Sequence, residues 1–311
     1  MMEELQDPYK KSGFQKIGTA VKQSLAVVRA GMNGSRDVVV TKWPRLNRNL
    51  LGGLQKGKMY VVAGRPGVGK SAFSNQLIFD ILDENKNSPM VVLYWTFEMP
   101  GYQQIMRSAS KDLKQGLGEL FSLDKPLSQN DFDKYAANAN RYNNYDIYFN
   151  NHPRSMEFII KANEDIFNAY PDKTVINVYD HSRLISGKAD TELQRLNTVS
   201  KGCMYLQSKM GVINILISQL NRNIEQEHRA KNQYQPLLTD LFGGDSIGQD
   251  AHVVLILNRP HALYGITTSY CDEDPVGLLA CHVEKNRDGM LGMIPYQADM
   301  STFTINEREK E

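Results

Sequence analysis

Met59-Tyr60-Val61-Val62-Ala63-Gly64-Arg65-Pro66-Gly67-Val68-Gly69-Lys70-Ser71-Ala72-Phe73 is the stretch on which the reading of this 311-residue chain turns. Its first five residues form a short apolar run of the kind that makes a strand buried on both faces. Gly64 to Ser71 then match G-x-x-x-x-G-K-[ST], and a helical pattern follows over Ser71 to Leu82, the strand-to-helix setting this motif requires. Such a loop wraps so that backbone N–H groups face phosphate oxygens, while the positive end of the helix dipole favours the same anion. On this reading Lys70 reaches the β and γ phosphates of ATP and the Ser71 hydroxyl ligates Mg²⁺.

Outward from the motif, short apolar runs alternate with helical stretches, as βαβ units and a mainly parallel sheet demand. Strands are expected at Met59–Ala63, Val91–Thr96, Ile147–Phe149, Val175–Tyr179, Val212–Ser218 and Val253–Leu257. Helices are expected at Ser71–Leu82, at Gln104–Leu113 and around Thr191–Met210. In the other direction Phe14, Ile17, Val21, Leu25 and Val28 recur at spacings of three and four, which puts them on one helix face. Gly31, Asn33, Gly34 and Ser35 follow as a joint, so the expected division is a basic segment with its helix over 1–45 and an ATPase domain over 46–311.

Length suits one large α/β domain with an appendage better than two equal domains. No apolar run approaches the roughly 18 residues of a bilayer span. The acidic start, Met1-Met2-Glu3-Glu4, lacks the pattern of a secretory signal, so the expected setting is cytoplasmic with no membrane partner. Cys203, Cys271 and Cys281 are odd in number and unpaired in spacing, and indicate neither a disulfide framework nor a zinc site. A net charge of +1 decides nothing about nucleic acid, although residues 1–50 carry nine Lys or Arg against four acids. That basic segment reads equally as a solvated tail or as a DNA or partner contact.

Three strand ends carry further candidates. Asp180 closes the run Val175 to Tyr179, where a carboxylate holds Mg²⁺ beside a phosphate loop; without that loop it would read as a turn or cap residue. Glu98 follows the strand Val91–Thr96, in position for a general base acting on the attacking water, or for an ordinary loop acid. Gln219 ends another apolar run, and its amide suits sensing the γ-phosphate or orienting the water. His181, His252 and His282 lack metal-ligand spacing and read as structural histidines.

Five blocks, in order, resemble the catalytic domain of the DnaB-type hexameric replicative helicases. They are Ala63 to Ser71; Phe97-Glu98-Met99-Pro100 with Gln104-Ile105-Met106-Arg107-Ser108; Ser218-Gln219-Leu220-Asn221-Arg222 with Glu225-Gln226; Ser246 to Ala251; and Lys285-Asn286-Arg287-Asp288-Gly289. The resemblance implies a RecA-like fold assembled as a homo-oligomeric hexameric ring, with ATP between subunits and single-stranded DNA in the channel. It implies that Glu98 is the catalytic base and that Lys285 and Arg287 act in trans on a neighbour's site. From spacing alone those two cations would be solvated flanks of a turn at Asp288-Gly289. The helix over Phe14–Val28 corresponds to the family's linker helix, which packs on the adjacent subunit.

Two departures qualify the likeness. Little precedes the linker helix, so the family's N-terminal helical domain, and with it coupling to a primase through that domain, does not carry over to these residues, while a loader or primase stays a candidate partner. In the channel loop Phe242 stands where the family has a phosphate-contacting arginine. Gly243 and Gly244 keep amides that suit phosphate, Phe242 suits stacking on a base, and Arg183 and Lys188 are candidate replacements for the lost charge, or simply exposed cations. An ATP-driven helicase is the resulting expectation; a nucleotide-gated scaffold, loader or recombination factor of the same fold is the alternative.

Overall fold

The structure, a computed structural model, describes residues 14–33, 37–182, 185 and 191–309. It divides at Val38/Val39 into two units. In the first, α1 (Ile17–Met32) forms as its spacing predicts, with no buried residue and with Phe14, Ile17, Val21, Leu25 and Val28 all exposed. The second unit begins earlier than the sequence division at residue 46, because Val39, Trp43 and Leu46 are already buried within it. Among the described residues no helix is long and apolar enough to cross a membrane.

The second unit opens with β1 (Val38–Val39), which straddles the boundary, α2 (Pro44–Asn49) and β2 (Leu54–Gln55). There follow β3 (Met59–Gly64), α3 (Lys70–Glu84), β4 (Met90–Thr96), α4 (Gly101–Leu113), α5 (Leu117–Leu120) and α6 (Gln129–Asn140). Next come β5 (Ile147–Asn150), α7 (Met156–Ala169), β6 (Thr174–Asp180), α8 (Glu192–Met210) and β7 (Ile213–Gln219). The chain closes with α9 (Gly244–Asp250), β8 (Val253–Asn258), α10 (Pro260–Tyr264), β9 (Leu278–Asn286), β10 (Gly292–Asp299) and β11 (Thr304–Glu307). All six predicted strands and three predicted helices lie within this set. α8 starts where Thr191 and Gln194 form a reciprocal capping box.

One nine-stranded sheet has the order β11-β10-β9-β8-β3-β7-β6-β4-β5. From β8 to β5 neighbouring strands are parallel; β9, β10 and β11 add on antiparallel. That second portion went unpredicted. Strand order reverses at β3, and in such sheets ligands bind outside the carboxyl ends beside the reversal.

β3 shows why the core has two sides. Its residues alternate, so Tyr60 and Val62 join a cluster with Phe73, Leu77 and Ile81 of α3. Met59, Val61 and Ala63 join the opposite cluster, with Ile159 of α7 and Leu196, Cys203 and Leu206 of α8. Phe73, two residues beyond Ser71, stacks on Trp43 with centroids 4.6 Å apart and meets Tyr296 of β10 edge-on at 5.7 Å. The phosphate-loop helix is thereby fixed to both portions of the sheet, and truncating Phe73 to Ala would cost about 3–5 kcal/mol.

Candidate functional site

Backbone geometry of the loop after β3 follows from its glycines. Gly67 and Gly69 sit at φ 77° and 105°, values that side chains with a Cβ rarely adopt, and Gly69 caps α3. Gly64 ends β3, Val68 is buried, and Pro66, Gly67, Gly69, Lys70 and Ser71 line a cleft of about 400 Å³. Arg65 points elsewhere: it donates to Glu225 Oε1 at 2.7 Å and to the Leu220 carbonyl at 3.0 Å. The loop is thus tied to the segment after β7, and two of the resembling blocks meet.

Lys70 Nζ donates to the carbonyls of Gly64 and Arg65 at 2.9 and 3.1 Å. Burial pulls its pKa down to about 8 against the opposing pull of Asp180 and Glu98. Across the cleft, burial pushes Asp180 up to about 6. Asp180 Oδ1 lies 3.5 Å from the Ser71 hydroxyl, and its buried Oδ2 has no hydrogen-bond partner among the described residues. A hydroxyl and a carboxylate are hard oxygen donors, and the orphaned Oδ2 is the atom a cation would satisfy, so these residues fit Mg²⁺. Both shifts run toward the neutral form, so a ligand bringing phosphate charge and a cation together would restore both charges.

Glu98 and Gln219 line the same cleft. Register explains the first: β4 and β6 are neighbours with Thr96 opposite Asp180, and Phe97 N–H donates to the Asp180 carbonyl at 2.8 Å. Glu98 therefore emerges beside His181, whose Nε2 lies 3.1 Å from Glu98 Oε1. His252 and His282 fit their structural reading, the first accepting from Met59 N–H and the second meeting the Tyr270 hydroxyl at 3.0 Å. His181 does more than that reading allowed, because it touches a candidate catalytic group.

Gln219 also faces the loop after it, since its carbonyl accepts from Phe242 N–H at 3.0 Å. Arg229 holds the base of that loop with two bonds of 2.9 Å to the Asp240 carboxylate. Phe242 is half-buried and packs on the core, Gly243 takes φ 67° ahead of α9, and Gly244 opens that helix. Arg183 and Lys188 lie outside the described residues.

Neither Lys285 nor Arg287 lines the cleft. Lys285 ends near the last turn of α9, where Nζ donates to the carbonyls of Gly248 and Gln249 at 2.8 and 2.7 Å; Arg287 Nη2 reaches the Gln249 carbonyl at 2.7 Å. Cations at a helix C-terminus complement its dipole. Neither is the fully solvated flank that spacing alone suggests.

Besides Ala72 and Ile217, four larger residues of the cleft carried no role in the sequence reading: Arg107, Arg259, Met300 and Phe303. Arg107 belongs to a quoted block, and its guanidinium stands 4.9 Å from the Phe303 ring centre. Met300 and Phe303 come from the turn between β10 and β11, so only knowledge of the antiparallel strands could have found them. Met300 lies directly against Gly69 of the phosphate loop, and with Arg107 and Phe303 it gives the cleft an apolar and cationic wall suited to a flat aromatic group.

Residues 39–305 match the family model described as the DnaB-like helicase C terminal domain. The replicative DNA helicase DnaC of Bacillus subtilis (strain 168) is 24% identical over 290 residues, 91% of this chain and 60% of that protein. The replicative DNA helicase DnaB of Leifsonia xyli subsp. xyli is 28% identical over 263 residues, covering 82% of this chain and 55% of that one. This chain thus spans little more than half the length of those curated relatives. Among solved structures, one described as an ATPase domain superposes with a TM-score of 0.80 at 19% identity, covering 93% of this chain and 99% of that one. A DnaB-like replicative helicase, described with its interactions with primase, gives 0.78 at 19% identity over 92% of this chain and 66% of that one. At such identities the likeness establishes the fold.

Proposed function

The chain belongs to the DnaB-like helicase C-terminal domain family, and from that premise we propose that it is the ATP-hydrolysing motor of a ring-forming replicative DNA helicase that moves on single-stranded DNA. One observation carries the reading: Lys70, Ser71, Glu98, Asp180 and Gln219, from four different strand ends, line a single cleft.

In this mechanism the backbone N–H groups of Gly67 to Ser71 and the Lys70 ammonium take the β and γ phosphates of ATP. Ser71 and Asp180 would hold Mg²⁺, which when bound neutralises charge on the phosphate oxygens. Glu98 accepts the proton of the attacking water, and Gln219 orients that water against the γ-phosphate. Met300 and Phe303 offer an apolar face to the base. Lys285 and Arg287 complete the site of an adjacent subunit, a role worth roughly 10³ to 10⁵ in rate in other NTPases. Gln219 joins ATP to DNA through its two ends, its side chain in the cleft and its carbonyl on Phe242 N–H. Phe242 and the amides of Gly243 and Gly244 contact the strand, with Arg183 and Lys188 adding charge. The exposed stripe of α1 docks on the neighbouring copy, burying apolar surface in the ring. A loader or primase is a further partner of this reading, and the setting is cytoplasmic.

A second reading, a nucleotide-gated scaffold or loader that does not unwind, has one observation in its favour: Phe242 packs on the core and brings no charge to the strand. Steady-state ATP hydrolysis with and without single-stranded DNA, at two salt concentrations, separates the two. A motor shows DNA-stimulated turnover that salt removes, because phosphate contacts are salt-dependent. A slow rate that DNA leaves unchanged favours the scaffold.

A further inference from the structure

We infer that His181 is a positioning residue whose imidazole holds the Glu98 carboxylate in its working orientation; the inference rests on the assignment of Glu98 as base made above. The two side chains differ in how firmly the fold holds them. Glu98 stands on the turn after β4 with its side chain 48% exposed, so packing does not choose its rotamer, and its hydrogen-bond or ion-pair partner among the described residues is His181. The His181 side chain is 10% exposed at the end of β6, directly after Asp180. Parallel register fixes the meeting point, since Thr96 lies opposite Asp180 and the Phe97 N–H to Asp180 carbonyl bond extends the ladder one step further. With Nε2 3.1 Å from Oε1, a proton on Nε2 is within reach of that oxygen, and the rest of the carboxylate is left to face the cleft that both residues line. A base held this way begins each turnover aligned, and small misplacements of a catalytic group are costly in rate.

A nearly buried imidazole also fills space, so the test must separate packing from hydrogen bonding. His181→Phe keeps a ring and loses the donor, whereas His181→Gln loses the ring and keeps an N–H at similar reach. In the full chain, with single-stranded DNA present, His181→Phe is expected to lower kcat by about tenfold or more. The KM for ATP and the affinity for ADP are expected to stay within about twofold, with His181→Gln retaining most of kcat. Single-turnover assays on Glu98→Gln, with and without His181→Phe, complete the test. Because His181 acts through Glu98, its loss is expected to change nothing further in that background. Native turnover in His181→Phe, a His181→Gln variant as impaired as or worse than His181→Phe, or a further loss in the Glu98→Gln background would each overturn the proposal. Failure of the base assignment itself is visible separately, as native hydrolysis by Glu98→Gln alone.

Discussion

In the parallel half of the sheet, the ends of β3, β4, β6 and β7 deliver Lys70, Glu98, Asp180 and Gln219 to one cleft. In the antiparallel half, Lys285 and Arg287 lie at the end of β9 and donate to carbonyls of α9 in their own chain, away from that cleft. The parallel half can bind phosphate with residues of a single chain. The antiparallel half holds its cations on α9, the helix that begins at Gly244, so on the proposed function their catalytic use requires a second subunit. On the proposed function this is a division of labour within one sheet: the parallel half supplies the phosphate-binding groups of the ATP cleft, and the antiparallel half, which adds Met300 and Phe303 to that cleft, presents Lys285 and Arg287 to a neighbour.

The largest effects should come from the half that receives ATP. Lys70→Ala is expected to reduce hydrolysis to background while circular dichroism stays native; measurable turnover would mean that the cleft does not use its loop in the way drawn here. Arg287→Ala should lower turnover by on the order of 10³ and leave nucleotide affinity within about twofold, as fits a group absent from its own chain's cleft. Comparable losses of binding and turnover would erase the difference between the halves.

A smaller effect distinguishes the antiparallel half in its stability. Burial holds His282, on β9, down to about 4 from 6.5. The folded state therefore resists a proton that the unfolded chain accepts; the stabilisation is present above pH 6.5 and is lost as pH falls toward 4, by up to about 3 kcal/mol. Melting temperature against pH should fall less steeply for His282→Gln than for the native chain over that window, and parallel curves would refute the assignment. The smallest effect concerns the loop between β7 and α9. Phe242→Ala should weaken single-strand affinity by roughly tenfold, within the range for loss of one stacking ring, and leave ATP binding intact. Unchanged affinity would remove Phe242 from the strand contact.

Legibility in the sequence followed the same boundary. Strands β3, β4, β6, β7 and β8 are short apolar runs buried on both faces, and the loop at Gly64–Ser71 carries its conformation in its own glycines, so local reading found them. β10 and β11 mix buried and exposed residues, and their pairing is set by β9 rather than by their own pattern. Met300 and Phe303 were hidden with them. His181 was hidden for another reason: its partner is 83 positions away by residue number, brought close by the adjacency of β4 and β6. The cis contacts of Lys285 and Arg287 with α9 are likewise tertiary, and family likeness pointed to those cations without indicating what they hold.

Whether the antiparallel half acts on a neighbour is tested most directly by mixing. Glu98→Gln and Arg287→Ala chains, each inactive alone, are co-expressed with different affinity tags and purified through both, so that every assembly assayed contains both kinds. If Lys285 and Arg287 work in trans, random assembly gives about a quarter of interfaces an intact Glu98 facing an intact Arg287, and DNA-stimulated hydrolysis should return to roughly that fraction of the native rate. If doubly purified assemblies hydrolyse ATP no faster than the two parents, the pair serves its own chain and the division between the halves is wrong.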